Sequence, residues 1–293
     1  MPKQRAYPVF LGIEEPYFDY GQAFAAILPV PFEATTTFGK GTARGPRAIF
    51  DASLQVELYD EELGGETYRR GVASLPVPKW GRGTLAQKLA RIGEAARRPL
   101  EDGKFLVALG GEHSITAPLV DACAAVHGPL TVLQLDAHAD LRDTYENTPH
   151  SHACVMRRVT ERHRAVQVGI RNLSVEEARL VQAGGHHVFF AHEMIGDPGW
   201  MDRAIAALGE TVYLTIDMDY FDPSLIPGVG TPEPGGFGWY ETLRFLRRVI
   251  SERRVVAMDV VELCPIPGHL VSEFTAAKLI YRLLGYVAAS RTA

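Results

Sequence analysis

The residues of this sequence best suited to chemistry are carboxylates and histidines that follow apolar runs. Asp136, His138 and Asp140 come at alternate positions directly after the apolar run 130–135. A buried strand seldom ends in carboxylates unless a partner compensates their charge. Side chains alternate across an extended chain, so residues two positions apart point the same way. If the backbone stays extended here, the three side chains converge on one site.

Three further apolar runs end in residues of the same kind. These residues are Glu112 and His113, Asp217 and Asp219, and Asp259 and Glu262. Taken singly, such an aspartate is often a turn or helix cap, and such a histidine is often a hydrogen-bonded core residue. Taken together, their shared position after strands favours one common site.

Six of these residues form a set whose combined negative charge indicates bound metal ions. The six are His113, Asp136, His138, Asp140, Asp217 and Asp219. Four carboxylates crowded into one pocket repel one another, and some of them would hold protons unless cations neutralise them. Two divalent ions would cancel the four negative charges. Hard oxygen donors with imidazoles and no thiolate favour Mn(II), with Fe(II), Co(II) and Zn(II) as alternatives.

The elements that must position these residues are predicted from hydrophobic periodicity, because short apolar runs alternate with segments of helical period. The predicted strands span 23–30, 104–110, 130–136, 165–170, 186–191, 211–217 and 255–261. The predicted helices span 46–59, 84–99, 115–126, 152–163, 175–183, 200–208, 239–253 and 272–289. Ser174 and Asp202 are expected at or near helix N-termini.

This alternation predicts an α/β fold, a single three-layer α/β/α domain with a mainly parallel sheet. Nearly continuous Val, Leu, Ile and Ala runs are typical of strands that helices cover on both faces. In such sheets ligands bind beyond the carboxyl ends of the strands. The candidate residues follow strands, so we expect them at that edge. The loop 222–238, rich in proline and glycine, is interpreted as part of the site.

Composition limits the functional class. The chain has 293 residues, and its formal net charge of -5, without a long Lys/Arg run, argues against a nucleic-acid partner. No segment reaches the roughly 20 apolar residues of a membrane span, so no membrane partner is expected. Three scattered cysteines, Cys123, Cys154 and Cys264, fit a reducing cytoplasm without disulfides. We predict a cytoplasmic protein with one domain over 1–293, in which 1–22 form an N-terminal extension.

Five blocks of the sequence carry a family resemblance. They are TTTFGKGTARGPRAI (35–49), GGEHS, DAHAD, IDMDYFDPSLIPGVGTPEPGG and MDVVELCP (258–265). Together they resemble the signature blocks of the ureohydrolases, the arginase and agmatinase superfamily, and agmatinase most of all. The usual second block is GGDHS, so Glu112 departs from it while His113 stays in place. The resemblance implies an arginase-like fold and a hydrolase of linear amidines with two Mn(II) ions per subunit.

The resemblance also implies a role for each matching residue. One ion would be held by His113, Asp136, Asp140 and Asp217, and the other by Asp136, His138, Asp217 and Asp219. The implied catalytic residues are His152 and Asp140, and the implied substrate-binding residues are Glu262 and His152. Hydroxide bridging the ions would attack the guanidino carbon, which Glu262 would orient through paired hydrogen bonds. His152 would give a proton to the departing amine, with His150 as the neighbouring competitor.

The resemblance does not by itself identify the substrate, which depends on the residues that bind the end of the substrate away from the guanidino group. Arginases have an asparagine two positions past the last Asp of DAHAD, where this chain has Arg142. GVGTPEPGG is closer to the agmatinase branch, so we predict hydrolysis of agmatine to putrescine and urea. Guanidinobutyrate, arginine and formiminoglutamate remain alternatives, as does a metal-binding scaffold without turnover. The partners implied are a small guanidino substrate and copies of the chain in a trimer or hexamer.

Overall fold

A parallel sheet lies at the centre of the computed structural model, which describes residues 7–291, and eight strands of those residues form it. The strands are β1 (Ala25–Val30), β2 (Val72–Ser74), β3 (Phe105–Gly110), β4 (Thr131–Leu135), β5 (Arg164–Ile170), β6 (His187–Phe190), β7 (Thr211–Asp217) and β8 (Arg254–Val261). Their spatial order is β2-β1-β3-β8-β7-β4-β5-β6, and every neighbouring pair is parallel. The predicted parallel sheet is therefore confirmed.

Helices connect the strands and cover both faces of the sheet. They are α1 (Gly45–Ser53), α2 (Leu85–Glu101), α3 (Thr116–His127), α4 (Val155–Thr160), α5 (Val175–Gln182), α6 (Ala191–Met194), α7 (Trp200–Ala207), α8 (Trp239–Glu252) and α9 (Val271–Ser290). Side chains such as Ile27 and Val107 pack into a core with α1, α8 and α9. Leu28 and Leu106 face the opposite core, which α2, α3 and α4 cover. The three-layer α/β/α architecture is confirmed.

Local signals place several helix ends. Ser174 caps α5, because its hydroxyl accepts a hydrogen bond from the amide of Glu177, whose side chain bonds back to the amide of Ser174. Asp202 lies in the first turn of α7, where a carboxylate favours the positive end of the helix dipole. Both expectations for these residues are confirmed.

Some predicted boundaries are wrong, and two short elements were not predicted. The helix expected over 46–59 ends at Ser53. The helix expected over 152–163 begins with a 3-10 turn at His152, and its α-helical part is limited to α4. β2 has three residues and α6 has four. Segments of this length are too short for a hydrophobic period to appear in the sequence.

The start of the described chain packs on the core. Residues 1–6 of the predicted extension 1–22 lie outside the described residues. Phe10 and Leu11 are buried, and the amide of Leu11 donates a 2.9 Å hydrogen bond to Oγ of Ser53 at the end of α1. The three cysteines are buried and form no disulfide. Within residues 7–291, no helix is both long enough and apolar enough to span a bilayer.

The strand order decides where the candidate residues meet. β3, β8, β7 and β4 are neighbours at the middle of the sheet, although they are far apart in the sequence. Their carboxyl ends lie side by side because all of them run in the same direction. The carboxyl-terminal parts of these four strands and the segments after them carry the candidate residues, so the fold brings four distant parts of the chain to one edge.

Candidate metal centre and substrate pocket

His113 and three aspartates form the first half of the candidate centre. Nδ1 of His113 lies 3.1 Å from Oδ2 of Asp136, 3.3 Å from Oδ2 of Asp140 and 3.2 Å from Oδ2 of Asp217. All four side chains are buried. One imidazole nitrogen can donate a single hydrogen bond, so it cannot satisfy three carboxylate oxygens at once. A cation in this position would satisfy all of them.

His138 and Asp219 form the second half, and Asp136 joins the two. Nδ1 of His138 lies 2.9 Å from Oδ2 of Asp219 and 3.6 Å from Oδ1 of Asp136. Asp136 thus presents Oδ2 toward His113 and Oδ1 toward His138. Two ligand sets with closely spaced donor atoms result, one with His113, Asp136 and Asp140 and the other with Asp136, His138 and Asp219. The structure brings all six predicted ligands together.

The backbone through 136–140 does not stay extended, which was the condition on which Asp136, His138 and Asp140 were expected to converge. β4 ends at Leu135, and Asp140 has a left-handed φ of 53°. Such a conformation costs about 1 kcal/mol for a residue with a side chain and persists where the surroundings hold it. The carbonyl of Asp140 accepts a 3.1 Å hydrogen bond from the amide of Arg157 in α4. The turn aims Asp140 at His113, while His138 faces Asp219.

A buried hydrogen-bond chain orients His113. The Thr215 hydroxyl on β7 donates a 2.6 Å bond to Oδ1 of Asp259 on β8, so its oxygen accepts from Nε2 of His113 at 2.9 Å. Nε2 therefore carries the proton, and Nδ1 is left to face the carboxylates. Asp259 also accepts from the hydroxyls of Tyr213 and Thr116. Asp259 thus supports the centre from beneath.

Asp136 has its own support within the sheet. Nε2 of Gln134 donates a 2.6 Å hydrogen bond to Oδ2 of Asp136, and the amide of His138 donates one of the same length to Oδ1. Nε2 of Gln167 in turn donates to Oε1 of Gln134 at 2.6 Å and to the carbonyl of Ala139 at 2.7 Å. These bonds fix the carboxylate that both halves of the centre share.

The charges of the cluster shift several pKa values. Burial raises the pKa of Asp140, and the charge of Asp136 adds to it, giving about 7. Burial, together with the charges of Asp219 and Asp136, also raises the pKa of Asp217. Burial opposes the charged form of His138, but the carboxylates of Asp219 and Asp136 outweigh it and raise its pKa to about 12. Without cations, protons would have to balance this crowd of carboxylates.

The donor set fits two divalent ions. It offers four carboxylates and two imidazoles without a thiolate, and such ligands suit Mn(II) and related first-row ions. Asp136 lies between the two sets and has one oxygen in each. Divalent ions at these positions would replace the protons that the shifted pKa values require.

Glu262 lies beside this centre. The residue follows β8 with a φ of 62°, and its Oε1 accepts a 2.6 Å hydrogen bond from the amide of His113. Burial raises the pKa of Glu262, opposed by that hydrogen bond and assisted by the charge of Glu112. Its side chain lines the pocket above the metal centre, where it can receive a cationic group.

The predicted histidine of the pocket is His152, and its competitor lies elsewhere. His152 lines the same pocket as Glu262, with Nδ1 3.1 Å from the Thr35 hydroxyl. Burial lowers the pKa of His152, opposed by the charge of Glu112 and assisted by the charges of His113 and His138. His150 lines a separate cavity with residues of α2 and α3.

The pocket leads from the metal centre to the surface and has a volume of about 180 Å³. Phe38, Arg142 and Tyr145 line its outer part, and the buried residue Glu177 also lines the pocket. Arg142 lies over the Tyr145 ring at 5.1 Å, and its Nε is 3.8 Å from Glu177. Oε1 of Glu233 lies 3.9 Å from Nε2 of His138, a predicted metal ligand. The predicted site loop 222–238 contributes Gly230 and Thr231 to the wall.

Sequence analysis missed several residues that hold the site together. Arg171, directly after β5, donates hydrogen bonds to the carbonyls of Asp219 at 2.6 Å and Glu233 at 2.8 Å. It therefore connects the segment of the predicted metal ligand Asp219 to the site loop. Its position just past a strand was a usable signal. Thr215 and Gln134 could not be identified from the sequence. Polar residues within strands are common, and only the tertiary structure shows which residues these two contact.

The family model for the Arginase family matches residues 23–285. The chain belongs to the arginase family. The predicted membership of the ureohydrolase superfamily is confirmed, and so is the prediction of a hydrolase that acts on linear amidines.

Relatives of this arginase-family chain share most of its length. It is 46% identical over 275 residues to an N(1)-aminopropylagmatine ureohydrolase of Synechocystis sp., covering 91% of this chain and 90% of the relative. An N(1)-aminopropylagmatine ureohydrolase of Thermus thermophilus is 41% identical, with 91% of each chain covered. The crystal structure of agmatine ureohydrolase of Thermoplasma volcanium superposes with a TM-score of 0.85 at 26% identity, covering 96% of this chain and 97% of that chain.

Proposed function

We propose that this chain hydrolyses the guanidino group of N(1)-aminopropylagmatine, releasing urea and the triamine. The observation that carries the proposal is the pair of ligand sets joined through Asp136, with Glu262 beside them in one pocket. The choice of substrate within the family rests on the similarity to N(1)-aminopropylagmatine ureohydrolases. Agmatine, which lacks the aminopropyl group, is the second candidate, and the match to an agmatine ureohydrolase structure supports it.

Two Mn(II) ions are the proposed cofactors. One would be held by His113, Asp136, Asp140 and Asp217, and the other by Asp136, His138, Asp217 and Asp219. When bound, such ions make water ionisable near neutral pH. Fe(II), Co(II) and Zn(II) accept the same donor types, and elemental analysis of the purified chain identifies the bound ion.

The remaining chemistry falls to side chains of the pocket. Glu262 would bind the guanidinium through charge-assisted hydrogen bonds and hold its carbon above the centre. Asp140 would accept a hydrogen bond from the attacking water and orient it. The departing amine is strongly basic and must leave protonated, so His152 would hold a proton for it at the ring nitrogen that faces the pocket.

The charges around the pocket support a substrate with a cationic tail. The buried carboxylate of Glu177 lines the pocket 3.8 Å from Nε of Arg142, and Glu233 lies 3.9 Å from Nε2 of the pocket residue His138. The charge of Arg142 is thus partly compensated, which disfavours the carboxylate tail of guanidinobutyrate. The negative charges of Glu177 and Glu233 would instead favour an amine tail.

Initial rates of urea release from a panel of substrates test the proposal. The Mn(II)-loaded chain is assayed with N(1)-aminopropylagmatine, agmatine, arginine and guanidinobutyrate, and with formiminoglutamate scored for formamide. We expect kcat/KM to be about tenfold higher for N(1)-aminopropylagmatine than for agmatine, since one added charged contact contributes about 1.4 kcal/mol. Higher kcat/KM for guanidinobutyrate would contradict the proposed tail recognition. Two bound ions without any product from the panel would favour a scaffold.

A further inference from the structure

Glu112, which departs from the usual aspartate of its block, is fully buried and surrounded by donors. The amides of Ala34 and Thr35 donate to its Oε2 at 2.5 and 2.6 Å. The hydroxyls of Thr35 and Ser114 donate to its Oε1 at 2.9 and 2.5 Å. A carboxylate with four donors around it acts only as an acceptor. Glu112 therefore fixes the direction in which the Thr35 hydroxyl points its proton.

The Thr35 oxygen has two further contacts, and both are with His152. The backbone amide of His152 lies 3.0 Å away, and Nδ1 of its ring lies 3.1 Å away. A hydroxyl has one proton, and here that proton goes to Glu112. The oxygen must therefore accept from Nδ1. If Nδ1 carried no proton, two lone pairs would face each other across 3.1 Å. The Ser151 hydroxyl is farther from Nδ1, at 3.4 Å.

We infer that Glu112, acting through Thr35, is a positioning residue that fixes His152 as the Nδ1–H tautomer. A neutral imidazole carries one proton, so Nε2 is then the nitrogen that takes up and releases protons in the pocket. The inference rests on the proposed function for the role of His152. The tautomer itself is a property of the folded chain and can be measured without turnover.

The variant Glu112→Gln distinguishes control of the His152 tautomer from a general role of Glu112 in fold stability. The amide oxygen can still accept from Ala34 and Thr35, whereas the amide nitrogen would take the place of Oε1 and donate to the Thr35 hydroxyl. The Thr35 proton is then free to donate to Nδ1 of His152. The variant should therefore shift His152 toward the Nε2–H tautomer with nearly unchanged side-chain volume.

Thr35 provides a matched series of variants. Thr35→Val removes the oxygen that accepts from Nδ1 and should weaken the preference for Nδ1–H. Thr35→Ser keeps the hydroxyl and should restore the preference. Thr36→Val is the control, because it makes the same change one residue along, where the hydroxyl donates to Glu33 at 3.1 Å and not to His152. It should leave the tautomer unchanged.

The measurement is a two-bond ¹H–¹⁵N correlation spectrum of the full-length chain with labelled histidine rings, loaded with diamagnetic Zn(II). His152 is assigned by the loss of its signals in His152→Gln. We expect a pyrrole-like Nδ1 and a pyridine-like Nε2 in the wild-type chain, Thr35→Ser and Thr36→Val, and an altered pattern in Glu112→Gln and Thr35→Val. In Mn(II) assays Glu112→Gln and Thr35→Val should lower kcat by about 10- to 100-fold with little change in KM.

An Nε2–H pattern in the wild-type chain would overturn the inference. So would an unchanged pattern in both Glu112→Gln and Thr35→Val. If Glu112→Gln does not fold, the Thr35 pair decides the question alone. The expected tautomers in a chain that releases no urea would instead overturn the proposed function and leave the positioning device intact.

Discussion

The amide of His113 donates a 2.6 Å hydrogen bond to Oε1 of Glu262, so the proposed guanidinium-binding carboxylate is attached to the backbone of a proposed metal ligand. His113 follows β3 and Glu262 follows β8, and these strands are neighbours in the sheet. One oxygen of Glu262 is thereby fixed, and the other is left for the substrate. We therefore expect metal binding and guanidinium binding to be coupled through His113 and Glu262.

Replacing Glu262 should affect the substrate and spare the metals. In Glu262→Gln the side-chain oxygen can still accept from His113, but the charge that pairs with the guanidinium is lost. Because a hydrogen bond to a charged group contributes about 1.5–3 kcal/mol, kcat/KM should fall roughly 10- to 100-fold. Steady-state urea release measures the loss, and metal analysis should still give two ions per chain. A metal-free variant would show that Glu262 serves the centre instead.

Removing the shared carboxylate should cost more metal than removing an unshared ligand. Asp136 offers an oxygen to each ligand set, whereas His138 belongs to the second set. Asp136→Ala should therefore bind no ion tightly, while His138→Ala should keep one. Elemental analysis after gel filtration counts the ions, with His150→Ala as the two-ion control. Equal metal content in Asp136→Ala and His138→Ala would speak against a shared carboxylate.

The hydrogen-bonded pair Thr215 and Asp259 should raise the affinity for metal ions without coordinating them. Its bonds hold the proton on Nε2 of His113 and so keep Nδ1 available. Loss of such a partner typically weakens metal binding 10- to 100-fold, and we expect this range for Thr215→Val. Competition with a fluorescent chelator measures the affinity. Tyr213→Phe is the matched control, since it removes a hydroxyl from Asp259 and leaves the contact to His113. Affinity equal to wild type in Thr215→Val would contradict this role.

Metal removal should reverse the effect of pH on stability. In the metal-free chain Asp140 has a pKa of about 7, above its ordinary value, and His138 has a pKa of about 12. The folded state then binds more protons than the unfolded state, so stability falls as pH rises from 6 to 8. Divalent ions compete with those protons, so in excess Mn(II) the melting temperature should rise over the same interval. Calorimetry at pH 6, 7 and 8 checks both trends; a metal-free chain that gains stability toward pH 8 would oppose this account.

The sequence by itself determined the class of the fold and indicated the candidate residues of the centre. Apolar runs that alternate with segments of helical period are typical of a sheet covered by helices on both faces, so the parallel α/β architecture followed from periodicity. Polar residues after such runs must lie at the carboxyl edge. The same reasoning identifies Asp136 and Asp217 from the sequence. Short elements such as β2 escaped it because three residues cannot display a period.

The tertiary structure decided how those residues face one another. Local spacing suggested an extended path from Asp136 to Asp140, but contacts with α4 hold Asp140 in a left-handed turn and divide the ligands between two histidines. His152 contacts Thr35, and Thr35 in turn donates to Glu112; these residues are distant in sequence and meet only after β1 and β3 pair. Hydrogen-bond direction depends on such long-range neighbours, and a sequence records residue types without recording which of them come into contact.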